Sequence, residues 1–192
     1  ALPGLTPHLS GAPATEQDVV AVLEGVVAER RAASPDSNLR FDRGTGGPTL
    51  VRVGRAEFTR ALSNVIGNAL DAAGPQGSVD VTISRAEAEA VVRVADDGPG
   101  IPAEVLTKLA TPGFTFGKTG GSGLGLAHAR AALASWGGRL EIESKVGEGT
   151  TVRLILPLAA EVAVLIDDDP LVRMNWTLAA KRAGKTLKAY AD

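Results

Sequence analysis

The sequence predicts an α+β fold: a two-layer sandwich in which helices cover one face of a mixed, mostly antiparallel sheet. Two observations in the first 157 residues carry that expectation. Apolar residues recur at helical spacing in residues 15–31 and 55–73. Apolar and polar residues alternate in two pairs of runs, 78–84 with 90–95 and 139–144 with 150–156. A third observation sets the end of the chain apart. From residue 162 the pattern becomes a buried-type strand, a helix and a second strand.

Residues 1–14 carry prolines at 3, 7 and 13 and no basic-then-apolar signal layout, so they read as a flexible lead-in. In residues 15–31, Val19, Val22, Leu23, Val26 and Val27 share one helical face, and Thr15 is the expected N-cap. Residues 34–38 form a turn, and short strands at 39–41 and 49–53 flank a glycine-rich connection. The helix at 55–73 packs Phe58, Leu62, Val65, Ile66, Ala69 and Ala73, and Gly74-Pro75 ends it. The runs at 78–84 and 90–95 read as a hairpin; those at 139–144 and 150–156 form a second pair around Val146-Gly147-Glu148-Gly149. The expected organisation is a lead-in at 1–14, one domain at 15–157, a linker at 158–161 and the start of a second domain at 162–192.

Three stretches carry chemistry. The first is Ala95-Asp96-Asp97-Gly98-Pro99-Gly100-Ile101-Pro102, which follows an apolar strand and cannot extend it. It holds Asp96 in place while Gly98 and Gly100 let the backbone approach something flat or charged; an ordinary Asp-Gly turn is the simpler alternative. The second is the polar stripe Asn64, Asn68 and Asp71 at i, i+4 and i+7 of the long helix. Asparagine is a poor helix-interior residue, so the stripe is either a solvated edge or a face turned to a polar ligand, with oxygens suited to Mg²⁺. The third runs from Phe114 to Leu126, where five glycines precede a helix with Leu126, Ala129, Leu133 and Trp136 on its buried face. Such a loop presents N–H groups and the positive helix end to anions, and Lys118 adds a point charge suited to phosphate. The spacing excludes a P-loop, and the missing preceding strand excludes a dinucleotide fingerprint.

In order and spacing these stretches resemble the ATP-binding domain of sensor histidine kinases, of the GHKL superfamily with gyrase, mismatch-repair and heat-shock ATPases. Asn64-Val65-Ile66-Gly67-Asn68-Ala69-Leu70-Asp71-Ala72 is similar to the family's N box, and Asp96-Asp97-Gly98-Pro99-Gly100 to its first glycine box. Gly121-Ser122-Gly123-Leu124-Gly125-Leu126 resembles the second glycine box, and 112–118 the phenylalanine box, with Gly113 where an aromatic is common. The likeness spans residues 16–157 and implies the Bergerat fold. It also implies nucleotide contacts by Asn64, Asn68, Asp71, Asp96, Gly98, Gly100, Ile101, Lys118, Gly121, Ser122, Gly123, Leu124, Gly125, Leu126 and Thr150. Within that set Asp96 would accept from the adenine amino group, Asn68 would ligate the Mg²⁺ of Mg-ATP, and Thr150 would assist at the adenine edge.

The tail resembles the opening of a response-regulator receiver domain, which would make the whole a hybrid kinase. Val162-Ala163-Val164-Leu165-Ile166 would be its first strand, Asp167 and Asp168 its Mg²⁺-binding acidic pair, and 186–190 its second strand. Asp169 as N-cap and Pro170 at the first helical position need no function. The phosphoacceptor strand of such a domain would lie beyond Asp192.

His8 and His128 are the only histidines, and neither has the sequence context of a phosphoacceptor; His128 falls opposite Leu126 and Leu133 and is expected at the surface. The resemblance therefore implies a partner domain that bears the acceptor histidine and dimerises, a receiver or response regulator as second partner, and a homodimeric full-length protein. A water-activating ATPase of the gyrase or chaperone kind is the alternative, but Asn64 stands where those relatives have a glutamate, and an amide cannot take a proton from water. A non-catalytic nucleotide-binding scaffold is the remaining one. A net charge of −2 implies no broad attraction to nucleic acid or anionic membrane. No apolar run reaches the roughly 20 residues of a membrane helix. The absence of cysteine excludes a disulfide framework. The expected location of this segment is the cytoplasm, within a full-length protein that is either soluble or membrane-anchored.

Overall fold

The computed structural model describes residues 13–44, 47–106, 125–159, 162–182 and 186–191. The chain divides into two compact units, Ala1–Leu158 and Ala159–Asp192.

The first unit opens with strand β1 (Thr15–Asp18), then helix α1 (Val19–Ala33). The helix expected from residue 15 therefore starts four residues later, and its N-cap is Asp18, not Thr15. The reason is tertiary. Strand β1 pairs antiparallel with β3 (Leu50–Val53), and the Asp18 carboxylate accepts from both Val20 N–H, at 3.1 Å, and Thr49 N–H, at 3.0 Å. A distant strand thus fixes where the helix begins.

Strand β2 (Asn38–Asp42) is followed by β3, α2 (Arg55–Ala73), β4 (Ser78–Ala86), β5 (Glu89–Asp96), the short α3 (Ala103–Leu106), α4 (Gly125–Ser135), β6 (Arg139–Lys145) and β7 (Gly149–Pro157). Five strands form the main sheet in the order β2-β4-β5-β7-β6. The β2–β4 pair is parallel and every other pair in it is antiparallel, as expected. The inward residues Val79, Val81, Val92, Val94, Leu154 and Leu156 are buried against the helices. Their odd-even alternation is the half-buried strand pattern seen in the sequence. Phe58, Leu62, Val65 and Ile66 of α2 and Ala129 and Leu133 of α4 supply the facing layer. Trp136, at the end of α4, meets Phe58 edge-to-face with centroids 6.2 Å apart. Arg30 of α1 donates to Ser63 O at 3.0 Å and Ser63 Oγ at 2.6 Å, tying α1 to α2.

The second unit is strand β8 (Val162–Ile166), helix α5 (Pro170–Arg182) and strand β9 (Thr186–Tyr190), with the strands parallel. Asp169 caps α5 by accepting Leu171 N–H at 2.8 Å. No described residue of α5 is buried, and Leu171, Met174, Trp176 and Leu178 are exposed on it.

Candidate functional site

The site is built where β5 ends. Asp96 is opposite Thr150 of β7 in register, so one carboxyl and one hydroxyl face the same corner of the sheet. The Asp96 carboxylate accepts Gly98 N–H at 3.0 Å and also a bond from the Thr150 backbone. It is half-buried, and burial pushes its pKa up despite these two donors, with like charge from Asp97 adding to the rise.

The glycines of this corner are required by the protein's own backbone. A Cβ on Gly98 would stand 2.7 Å from Ala72 O, and one on Gly100, at φ +70°, 2.1 Å from Lys145 O. These close approaches are to the end of α2 and to the β6–β7 turn, so the protein's own packing already requires glycine at both positions. Gly147 N–H donates to Pro99 O at 2.8 Å, fastening the same turn to the loop.

Asn64, Asn68 and Asp71 share one stripe of α2. Asn64 is half-buried and its Nδ2 reaches Gly125 O at 3.5 Å, where a Cβ on Gly125 would lie 3.3 Å from Asn64 Cγ. That contact seats the start of α4. Asn68 and Asp71 are exposed. Leu126 is partly buried against the core, and Ile101 follows the glycine corner, its N–H bonded to Ser144 Oγ at 2.9 Å. Lys118, Gly121, Ser122, Gly123 and Leu124 lie outside the described residues. His128 departs from the surface position expected of it: it is half-buried, and among the described residues its Nε2 has no hydrogen-bond partner. Ala131 and Ser135, on the face opposite Leu133, are exposed, so the cover is local to His128.

Two residues of the corner carry roles the sequence reading did not assign. Asp97 accepts Ser78 N–H at 2.8 Å and Ser78 Oγ–H at 2.7 Å, which holds its pKa below the ordinary carboxylate range and clamps the start of β4 to the end of β5. Ser144 is a polar residue in the inward register of Leu140 and Ile142. That break in alternation was its sequence signal. An open groove of about 320 Å³ reaches Asp96, Ser144, Gly149 and Thr150 and extends over Arg93, Glu143 and Thr151.

In the second unit Asp167 Oδ1 accepts Asp169 N–H at 2.9 Å, Asp167 N–H donates to Tyr190 O at 3.1 Å, and Arg173 donates to Asp167 O. Asp168 is exposed. Among the described residues no three His, Cys, Asp or Glu side chains converge as a metal cluster. No described helix is long and apolar enough to cross a membrane.

Comparison with known proteins gives the fold a class. The mycobacterial sensor histidine kinase MprB superposes on 76% of this chain and 97% of its own, with a TM-score of 0.68 and 25% identity. Full-length ShkA, solved in complex with AMPPNP, matches in fold over 96% of this chain and 42% of its own, with a TM-score of 0.64 and 22% identity. Sensor histidine kinase ZraS of Escherichia coli (strain K12) is 36% identical over 129 residues, 66% of this chain and 27% of that protein. A profile described as "Histidine kinase-, DNA gyrase B-, and HSP90-like ATPase" matches residues 54–160, and the chain belongs to that family. The chain spans between 22% and 31% of the length of the curated sensor kinases it matches.

Proposed function

We propose that this chain binds Mg-ATP at the Asp96 corner and passes the γ-phosphoryl group to a histidine on a dimerisation domain, as the catalytic domain of a sensor histidine kinase. The observation that carries the reading is the half-buried Asp96 carboxylate, held by Gly98 and Thr150 N–H and with acceptor lone pairs left for a further donor from the groove it lines. The adenine amino group is such a donor, whereas a base with a carbonyl oxygen there would set lone pairs against the carboxylate. Membership in the ATPase family and the likeness to sensor kinases support it. The donor set on α2 is of amide and carboxylate oxygens, which fits Mg²⁺, a hard cation that keeps several waters. Asn68 would hold that ion, with Asn64 and Asp71 on the same stripe; the ion would neutralise charge on the transferring phosphoryl group. Lys118 and residues 121–126 belong to the phosphate end in this reading.

Asn64 favours phosphoryl transfer over hydrolysis. Its amide can orient but cannot act as a base, and it is engaged with the start of α4. The tail extends the proposal to a hybrid kinase: β8, α5 and β9 have the parallel order of a receiver's opening, with Asp167 and Asp168 at the C-terminal end of β8. Titration of Mg²⁺ into the parent chain and Asp168→Ala separates this from a purely structural turn, for which the two would be indistinguishable.

Two measurements test the kinase reading. Asp96→Asn sets an amide donor against the adenine amino group, and affinity for a non-hydrolysable ATP analogue should fall about ten- to a hundredfold by calorimetry; equal affinities remove the assignment. With radiolabelled ATP the chain should stay unlabelled and pass label to an added histidine-bearing dimerisation domain. Rapid phosphate release without transfer, abolished by Asn68→Ala, would instead indicate an ATPase.

A further inference from the structure

Ser144 joins the glycine loop and the start of β7 through a single oxygen that meets three groups. Its Oγ accepts Ile101 N–H at 2.9 Å, donates to Gly149 O at 2.9 Å and lies 2.9 Å from Thr150 Oγ1. A serine hydroxyl has one proton and two lone pairs. The Gly149 carbonyl can only accept, so it takes the serine proton; the Ile101 amide fills one lone pair. The contact with Thr150 is then a hydrogen bond only if the threonine hydroxyl donates into the second lone pair. Thr150 is 8% exposed, and a buried hydroxyl with a partner at this distance does not leave its proton unused.

We infer that Ser144 is a positioning residue for nucleotide specificity: by taking the proton of Thr150 it leaves that hydroxyl as an acceptor beside the Asp96 carboxylate, so the corner selects a 6-amino over a 6-oxo purine. The inference rests on the proposal that the Asp96 corner binds adenine. In register across β5 and β7, both groups present lone pairs only, the complement of an amino group and the wrong match for a carbonyl oxygen. Ser144→Ala removes the proton sink. Thr150 is then free to rotate and donate, and Ile101 N–H loses its acceptor.

The test is calorimetric titration of the full chain, in Mg²⁺, with a non-hydrolysable ATP analogue and its inosine counterpart. In Ser144→Ala the preference for the adenine nucleotide should narrow about tenfold, beyond any loss common to both ligands. A purely structural role would weaken both equally and leave the ratio unchanged, and that result overturns the inference. Should Ser144→Ala fail to fold, Thr150→Val decides: it leaves the two backbone bonds of Ser144 in place, removes the acceptor and should narrow the same ratio, and an unaltered ratio overturns the inference. Asp96→Asn in the same series separates the two levels. An unchanged adenine affinity there removes the adenine assignment, and the inference with it. Lost affinity there, with unaltered ratios in the serine and threonine variants, overturns the inference alone.

Discussion

Asp96 and Asp97 are neighbours in sequence with opposite chemical circumstances. Strand alternation sends the first toward the half-buried corner, where burial raises its pKa, and the second outward to the Ser78 donors, which lower it. The signs give two pH dependences. Asp96 accepts as a carboxylate, so nucleotide affinity should fall as pH drops through its raised pKa, at a higher pH than for an ordinary aspartate, while Asp96→Asn stays flat. A parent chain with affinity constant down to about pH 4 would contradict the assignment. As to stability, the unfolded chain releases the Asp96 proton earlier than the folded one, so that group favours folding at low pH and less as pH rises. Asp97 acts the other way. Its contribution is present above the ordinary carboxylate range and is lost as pH falls through its lowered folded value. Melting curves of the parent and Asp97→Asn should diverge near neutrality and draw together as the pH falls through the lowered folded pKa of Asp97.

At the scale of elements, the start of α1 shows how one side chain joins two pieces of backbone. Asp18 accepts from the first turn of α1 and from Thr49 ahead of β3, so it caps a helix and fixes a two-stranded ribbon at once. Asp18→Ala removes both and should lower unfolding free energy by about 1–2 kcal/mol in urea denaturation. A loss under a few tenths would mean that the β1–β3 pairing holds without the cap. Helix α2 has the reverse arrangement: Gly54 at its N-cap makes no side-chain cap bond. Packing of Phe58, Leu62 and Ile66, all fully buried, holds it instead.

At the scale of the whole chain, the main core draws every buried member from between Val19 and Leu156, with Leu158 packed on it partly buried. Among the described residues, no member of that cluster comes from the second unit. A fragment of residues 13–158 should therefore fold, melt within a few degrees of the full chain and bind the ATP analogue with unchanged affinity. A melting point lowered by ten degrees or more would show that the tail is part of the fold of the first unit. The exposed Leu171, Met174, Trp176 and Leu178 make α5 the element whose packing the described residues least account for.

The sequence by itself determined strands β4 to β7 and the long helix α2. Period-2 alternation marks β4 to β7 because one face is buried and the other wet, and the helical stripe of α2 is long enough to be unambiguous. The glycine corner after an apolar strand could be read because those residue types fit few other conformations. What only the tertiary structure decided depends on partners far apart in the chain. The first four residues of the expected helix became a strand because β3, more than 30 positions later, was there to pair with them. Gly98 and Gly100 are small because Ala72 O and Lys145 O come close, distances no local pattern contains. Ser144 became the hub of the corner because the β6–β7 hairpin brings its hydroxyl to Ile101, 43 positions away. Local sequence encodes the conformation of a segment, whereas the proton held by a hydroxyl is decided by whichever donors and acceptors the fold places around it.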